Sequence, residues 1–177
     1  MPGLRTLAFL SVCGTLAAAG GCYAKSAVEE IGDYMQVIVP AYALGLAMNE
    51  RDWEGAKQFA YGFAATEVGV YGLKAVVRER RPDGSNNHSF PSGHTAAAFS
   101  GAAFIHKRYG LKRAAVPYLM AAFTGYSRIT ADKHYLHDVL AGAAIGGLLS
   151  WFIAGEYDGL QISAGPQSVK IGFKTKF

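Results

Sequence analysis

Apolar runs of helix length, interrupted by one long polar loop, most constrain what this chain can fold into. Apolar residues at helical spacing predict five helices, over residues 35–48, 53–79, 95–109, 114–126 and 136–154. The loop over 81–94 is rich in turn formers, and Pro82 ends the helix before it. The pattern predicts an all-α protein, a compact bundle of about five to six helices.

The length of 177 residues suits one domain with distinct ends. Arg5 and the apolar run after it are typical of a secretory signal peptide cleaved after Ala24, with a lipidated Cys22 or an uncleaved anchor as alternatives. The tail alternates apolar and polar residues and permits a short C-terminal β-hairpin. We therefore divide the chain into a signal peptide or membrane anchor (1–24), a helical domain (25–157) and a strand-like basic tail (158–177).

Composition says less about the possible binding partners than the motifs do. Apolar residues make up 51% of the chain but the mean hydropathy is only +0.14, which fits a membrane-associated protein or a soluble helical one. The net charge of +4 comes from basic clusters that apolar helices separate, without an aromatic-interleaved groove, so nucleic acid is not an expected partner. Both cysteines, Cys13 and Cys22, precede the helical domain, which leaves it no cysteine metal site.

Three groups of polar residues interrupt the apolar pattern, and the first is cationic. Lys74 and Arg81 are two helical turns apart, so both side chains are predicted on the same side near the end of one helix. A guanidinium fork and a mobile ammonium suit a phosphate dianion. Taken alone, a basic helix end more often complements the helix dipole. Arg128, in the third group, offers a further guanidinium fork.

The second and third groups carry histidines. Ser92 and Gly93 stand at a predicted helix start, where free N–H groups form a natural anion site. His94 follows and is a candidate general acid toward a leaving oxygen. His134 and Asp138 are four residues apart on one predicted helical face, so the carboxylate can orient the imidazole as a nucleophile. Each pattern alone also has a structural explanation, a helix entrance or a His–Asp hydrogen bond.

The order of the three groups is more specific than any one of them. The chain resembles the type 2 phosphatidic acid phosphatase and vanadium haloperoxidase superfamily, whose three-part motif it matches at Lys74 with Arg81-Pro82, at Pro91-Ser92-Gly93-His94, and at Ser127-Arg128 with His134 and Asp138. No position of the motif departs from that pattern. The resemblance covers about residues 30–155 and leaves out the signal-like start and the tail.

The resemblance implies a helical bundle that gathers the three motifs in one site and needs no metal ion or cofactor. It implies that His134 attacks phosphorus and forms a phosphohistidine, that Asp138 orients it, and that His94 protonates the leaving alcohol and then activates water. Transition-state charge on the phosphoryl oxygens would be stabilised by five residues: Lys74, Arg81, Ser92, Gly93 and Arg128.

The predicted function is a metal-independent phosphatase for a phosphomonoester or pyrophosphate, on a lipid such as phosphatidate, phosphatidylglycerophosphate, a polyprenyl phosphate or lipid A. The expected partners are this lipid phosphate and a membrane surface or bilayer; the oligomeric state is not predicted. The expected location is the bacterial inner membrane with a periplasm-facing site, or the periplasm after signal cleavage. The alternatives are a soluble broad-specificity acid phosphatase, a vanadate-dependent haloperoxidase and a non-catalytic anion-binding membrane protein.

Overall fold

The computed structural model describes residues 27–156, together with the backbone of 160–165 and 168–173. It contains five helices: α1 (Ala27–Asn49), α2 (Trp53–Val77), α3 (Gly93–Tyr109), α4 (Leu111–Thr130) and α5 (Leu136–Ile153). The strands β1 (Leu160–Gly165) and β2 (Ser168–Phe173) pair antiparallel, with Leu160 opposite Phe173. The predicted all-α bundle is confirmed, whereas the predicted signal peptide or anchor over 1–24 lies outside the described residues.

Two helix boundaries differ from the prediction for physical reasons. α1 begins at Ala27 instead of residue 35, because its first turns carry acidic residues that an apolar pattern does not count. α2 ends at Val77 instead of Glu79, since Arg78 adopts the left-handed conformation (φ 47°) that closes the helix. Arg81 is therefore a loop residue. The prediction from spacing that Arg81 shares a helix with Lys74 was wrong.

The small residues of α3 place it at the centre of the bundle. Its alanines and Ser100 are almost fully buried, and it packs against α2, α4 and α5. Gly142 and Gly146 of α5 lie directly on the α3 backbone, where a side chain would meet the carbonyl oxygens of Ser92 and Ala96. These two glycines therefore permit close pairing of α3 and α5, whereas Gly147 has no neighbour where its side chain would be.

A buried ion pair closes the end of the bundle at which α3 terminates. The guanidinium of Arg108, on the last turn of α3, donates to both carboxylate oxygens of Asp52 in the α1–α2 connection. Tyr109 donates a third hydrogen bond to the same carboxylate, and Asp52 also caps α2 through the Gly55 N–H. This network ties three elements together at the end opposite Ser92.

Within the part of the chain that the structure describes, two helices are long and apolar enough to cross a membrane, namely α1 and α5. Only 28% of the most apolar window in each is buried, so most of both surfaces is left uncovered by the described chain. Large apolar side chains are exposed along them, including Val37, Ile38, Leu140, Leu148 and Phe152. Such surfaces suit contact with lipid.

Candidate active site

The candidate site lies at one end of the bundle, where α3 and α5 both begin. Ser92 caps α3: its hydroxyl accepts from the Thr95 N–H, and its own N–H donates to the Asp138 carbonyl at 3.0 Å. The loop over 78–92 lies across this end, held by the Ser89 N–H to the Glu79 carbonyl (2.9 Å). Residues far apart in sequence are thus fixed to the same two helix starts.

His134 and Asp138 meet, although not on one helical face as predicted. α5 begins only at Leu136, so His134 belongs to the preceding turn while Asp138 is in the first turn of the helix. His134 Nδ1 lies 3.4 Å from Asp138 Oδ2. Asp138 is fully buried, and Oδ2 also accepts hydrogen bonds from Ser89 Oγ (2.5 Å) and the Tyr135 N–H (2.9 Å). The carboxylate is therefore fixed, and the imidazole turns its other nitrogen, Nε2, away from it.

Both histidines are held in the neutral form. Burial, followed by the positive charges of Lys74 and Arg81, lowers the pKa of His134 to about 4. Burial and the charge of Arg128 lower the pKa of His94 to about 4, although Asp33 acts in the opposite direction. A neutral His134 has a lone pair available for attack, which is the form that a nucleophile requires.

These shifts predict that the protein loses stability in mild acid. In the unfolded chain a histidine takes up its proton near pH 6.5, but the folded protein resists protonation of His94 and His134 until about pH 4. Because the unfolded state then binds more protons, the free energy of unfolding falls as pH falls between these two values. Thermal unfolding at several pH values should show this decline, and His134→Gln should make it shallower. A wild-type profile that is flat over this interval would contradict the assignment.

Two cations face a groove together with the histidines. Lys74 Nζ donates to the carbonyls of His88 (2.8 Å) and Ser89 (3.3 Å), which steadies its ammonium group. Arg81 Nε is buried and has no hydrogen-bond partner in the described part of the chain. Lys74, Arg81, Gly93, His94 and His134 all line the groove. A buried donor without an acceptor, beside an ammonium group and a helix N-terminus, suits an anionic oxygen.

Arg128, the third predicted cation of the site, is held by other groups of the chain. It is 3% exposed and does not line the groove. Its Nη1 lies 2.7 Å from Asp33 Oδ1, its Nη2 donates to the Glu29 carbonyl (2.6 Å), and its Nε donates to Ser127 Oγ (3.1 Å). Ser92 is likewise buried, and its hydroxyl contacts Thr95. Of the predicted phosphate ligands, Lys74, Arg81 and Gly93 thus line the groove. Arg128 and Ser92 are buried and do not line it.

The protein-family model that describes the PAP2 superfamily matches residues 8–158 of the chain. This chain belongs to the PAP2 superfamily. That membership confirms the family that the three motifs predicted, because PAP2 is the type 2 phosphatidic acid phosphatase superfamily.

Known PAP2 relatives include named lipid phosphatases. The chain is 32% identical over 138 residues to a lipid A 4'-phosphatase of Helicobacter pylori, covering 72% of this chain and 67% of that one. It is 48% identical over 69 residues to a lipid A 1-phosphatase of Porphyromonas gingivalis, covering 37% of this chain but only 16% of the relative. A decaprenylphosphoryl-5-phosphoribose phosphatase of Mycobacterium tuberculosis is 30% identical over 113 residues, which are 59% of this chain and 60% of the relative.

A solved crystal structure shares the fold. The crystal structure of Aquifex aeolicus LpxE superposes with a TM-score of 0.60 at 27% sequence identity, covering 71% of this chain and 84% of that chain. The helical architecture described above is therefore shared with a solved structure.

The groove of this PAP2 protein extends well beyond His94 and His134. It has a volume of about 1120 Å³ and continues between α1 and α2, with apolar lining residues that include Val37, Pro40, Leu44, Phe63 and Val70. Such a shape provides room for an extended apolar chain attached to a phosphate at the histidine end.

Two residues of the site carried no motif and were missed from the sequence. Ser89 holds Asp138 from the polar loop, and Asp33 reaches the site from α1, with Oδ1 3.0 Å from His94 Nε2. The sequence signal for Ser89 was only its place two residues before Pro91. For Asp33 it was an acidic residue close to the start of an apolar helix.

One group of side chains has the composition of a metal site. Glu79, His137 and Asp138 place one ligand atom each within 4.8 Å of one another. His137 Nε2, however, lies 3.0 Å from Glu79 Oε1, and the ring stacks on Tyr135 at 5.4 Å. These contacts explain His137 as a structural link between α5 and the loop over 78–92.

Proposed function

We propose that this protein is a metal-independent phosphatase of membrane lipid phosphates that acts through a phosphohistidine on His134. One observation carries the proposal: a neutral, oriented histidine and two groove-lining cations stand at the head of an apolar groove. The named activities of the relatives, on lipid A and on a decaprenyl-linked phosphate, support a lipid substrate. The groove supports it independently, because a small soluble phosphate ester needs no apolar chain site.

In the first step His134 Nε2 attacks phosphorus, and the bond from phosphorus to the lipid oxygen breaks. The negative charge of the bound phosphate ester favours the protonated form of His94, and the leaving oxygen then takes this proton. Lys74 and Arg81, with the free N–H of Gly93, stabilise the negative charge on the phosphoryl oxygens. Asp138 stabilises the positive charge that develops on the imidazole of His134.

In the second step the phosphohistidine is hydrolysed. A water molecule gives a proton to His94, its oxygen attacks phosphorus, and the bond from nitrogen to phosphorus breaks. Inorganic phosphate leaves, while His134 is neutral again and His94 is protonated for the next cycle. The same two histidines therefore serve both steps, and no other proton carrier is needed.

The site's position in the bundle supports action at a membrane boundary. Asp33, Lys74, His94 and His134 all belong to one end of the bundle, while the groove runs from there along α1 and α2. If α1 and α5 cross the bilayer, the phosphate end meets the polar interface and the groove follows the lipid chains. The signal-like start of the sequence favours the periplasmic side.

Phosphate release with EDTA present tests the proposal. We would purify the full chain in detergent and supply lipid A, a polyprenyl phosphate, phosphatidate, phosphatidylglycerophosphate and an aryl phosphate. Release from at least one lipid, with a higher kcat/KM than for the aryl phosphate, is the expected result. Activity confined to the aryl phosphate would favour the soluble acid phosphatase instead. Halide oxidation with vanadate and peroxide, in the absence of phosphate release, would favour the haloperoxidase.

A bulky side chain in the groove should lower activity on a lipid substrate and spare activity on a soluble one. Ala41 lines the groove on α1, and Ala41→Trp places a large ring there. Excluding even two methylenes of a lipid chain is expected to lower kcat/KM for the lipid about tenfold. The kcat/KM for the aryl phosphate should change less than about twofold, because this substrate does not need the groove.

Ile38→Trp is the matched control for this substitution. Ile38 is on the same helix but is exposed (49%) and does not line the groove. Its variant should keep wild-type kinetics on both substrates. An equal loss on lipid and aryl phosphate in Ala41→Trp would show that the groove does not hold the lipid.

A further inference from the structure

The carboxylate of Asp33 lies where the predicted mechanism requires a substrate anion. Its Oδ1 is 2.7 Å from Arg128 Nη1 and 3.0 Å from His94 Nε2. Arg128 is the predicted ligand of a phosphate oxygen, and His94 is the predicted acid toward the leaving oxygen. One carboxylate oxygen therefore contacts the two groups that a phosphate ester would have to reach.

The backbone beneath Asp33 is fixed, while its side chain has room to leave. Gly32 packs directly on Ser127 and Arg128, so closely that any side chain at this position would overlap them. The Asp33 side chain itself is 46% exposed, and the buried Oδ1 makes no well-aligned hydrogen bond in the described part of the chain. The contact with Arg128 thus depends mainly on charge, and rotation of the Asp33 side chain toward solvent breaks both contacts without moving α1.

Arg128 stays in place when this carboxylate leaves. Its Nη2 and Nε are held by the Glu29 carbonyl and by Ser127 Oγ, neither of which depends on Asp33. Departure of Asp33 therefore exposes a guanidinium nitrogen that is already oriented toward the His94 side of the site. A preorganised donor of this kind binds an incoming oxyanion without further ordering.

We propose that Asp33 is a built-in competitor of phosphate that makes the site select lipid phosphates over the inorganic phosphate product. This inference rests on the proposed function. Like charges exclude each other from one position, so any phosphate that uses Arg128 must first displace the carboxylate. A lipid phosphate offsets this displacement by burying its chain in the groove, whereas inorganic phosphate has no chain to bury. Return of Asp33 after hydrolysis then favours release of the product.

Binding of inorganic phosphate to the full chain in detergent, measured by calorimetry, tests this role without relying on turnover. Asp33→Asn removes the charge and Asp33→Ala removes the whole group, and both should bind phosphate at least about tenfold more tightly than wild type. Product inhibition of lipid hydrolysis should strengthen by a similar factor. If Asp33 instead only anchors Arg128 and His94, both variants will bind phosphate equally or more weakly, which would overturn the proposal.

Glu29→Gln is the matched control, since it removes the same charge one turn earlier on α1. The Glu29 carboxylate lies 4.0 Å from Lys133 Nζ, and its variant should leave the phosphate affinity within about twofold of wild type. An equal gain in Glu29→Gln would mean that general charge on α1, and not displacement of Asp33, sets the affinity. Failure of the proposed function is distinguishable, because it would appear as absent lipid hydrolysis whatever the order of phosphate affinities.

Discussion

His134→Ala is expected to lower kcat for lipid phosphate hydrolysis by about 10⁴-fold or more, with little effect on folding. The substitution removes the atom that forms the bond to phosphorus, and the other groups of the site act only on an attack that no longer occurs. The phosphate ligands Lys74 and Arg81 remain, so binding of inorganic phosphate should persist. Phosphate release in EDTA, measured beside phosphate affinity, separates these two effects.

Rapid alkaline quenching with labelled substrate gives a second measurement of the same step. Wild type should retain label on the protein as phosphohistidine, which survives base and is lost in acid, and His134→Ala should retain none. His106→Ala is a suitable control, because His106 is on the last turn of α3, away from the site, and contacts Trp151. Activity of His134→Ala within about tenfold of wild type would exclude His134 as the nucleophile.

Gly146→Ala is expected to cause the largest loss of stability from a single added methyl group. The new Cβ would overlap the carbonyl oxygen and carbonyl carbon of Ala96, both backbone atoms of the central helix. Since neither backbone can yield locally, α5 must move away from α3. We expect the free energy of unfolding to fall by about 3 kcal/mol, at the upper end of overpacking effects.

The neighbouring glycine provides the control for this prediction. Gly147 is in the same helix but has no atom within 4 Å of its would-be Cβ. Gly147→Ala should therefore raise the free energy of unfolding by up to about 1 kcal/mol, through the higher helix propensity of alanine. Thermal unfolding of both variants in one detergent compares them directly. Similar midpoints for the two variants would show that α3 and α5 do not pack as closely as described.

The five helices were predictable because their apolar and small residues repeat at the spacing of a buried helix face. The residues of the three motifs were predictable from their order, even though two of the local arguments were wrong. Arg81 is not on α2, and His134 precedes α5. Spacing along a helix assumes that the helix continues, and here both helices have their boundary inside the motif.

The parts that escaped prediction depend on contacts between elements distant in sequence. Ser89 fixes Asp138 across 49 positions, and Asp33 reaches Arg128 from another helix. A single serine or aspartate has many structural uses, so neither signals a role until the fold supplies its neighbours. The acidic start of α1 was also missed, because those residues interrupt the apolar pattern.

The sequence by itself determined the fold class, the family and the set of titratable groups, since each depends on residue type and order along the chain. The tertiary structure alone decided which of those groups face the groove, that Arg128 is occupied by Asp33, and that an apolar groove continues from His134. The physical reason is that burial, charge pairing and cavity shape arise where helices meet. Close packing of α3 against α5, through Gly142 and Gly146, brings the helix starts that carry His94 and Asp138 together.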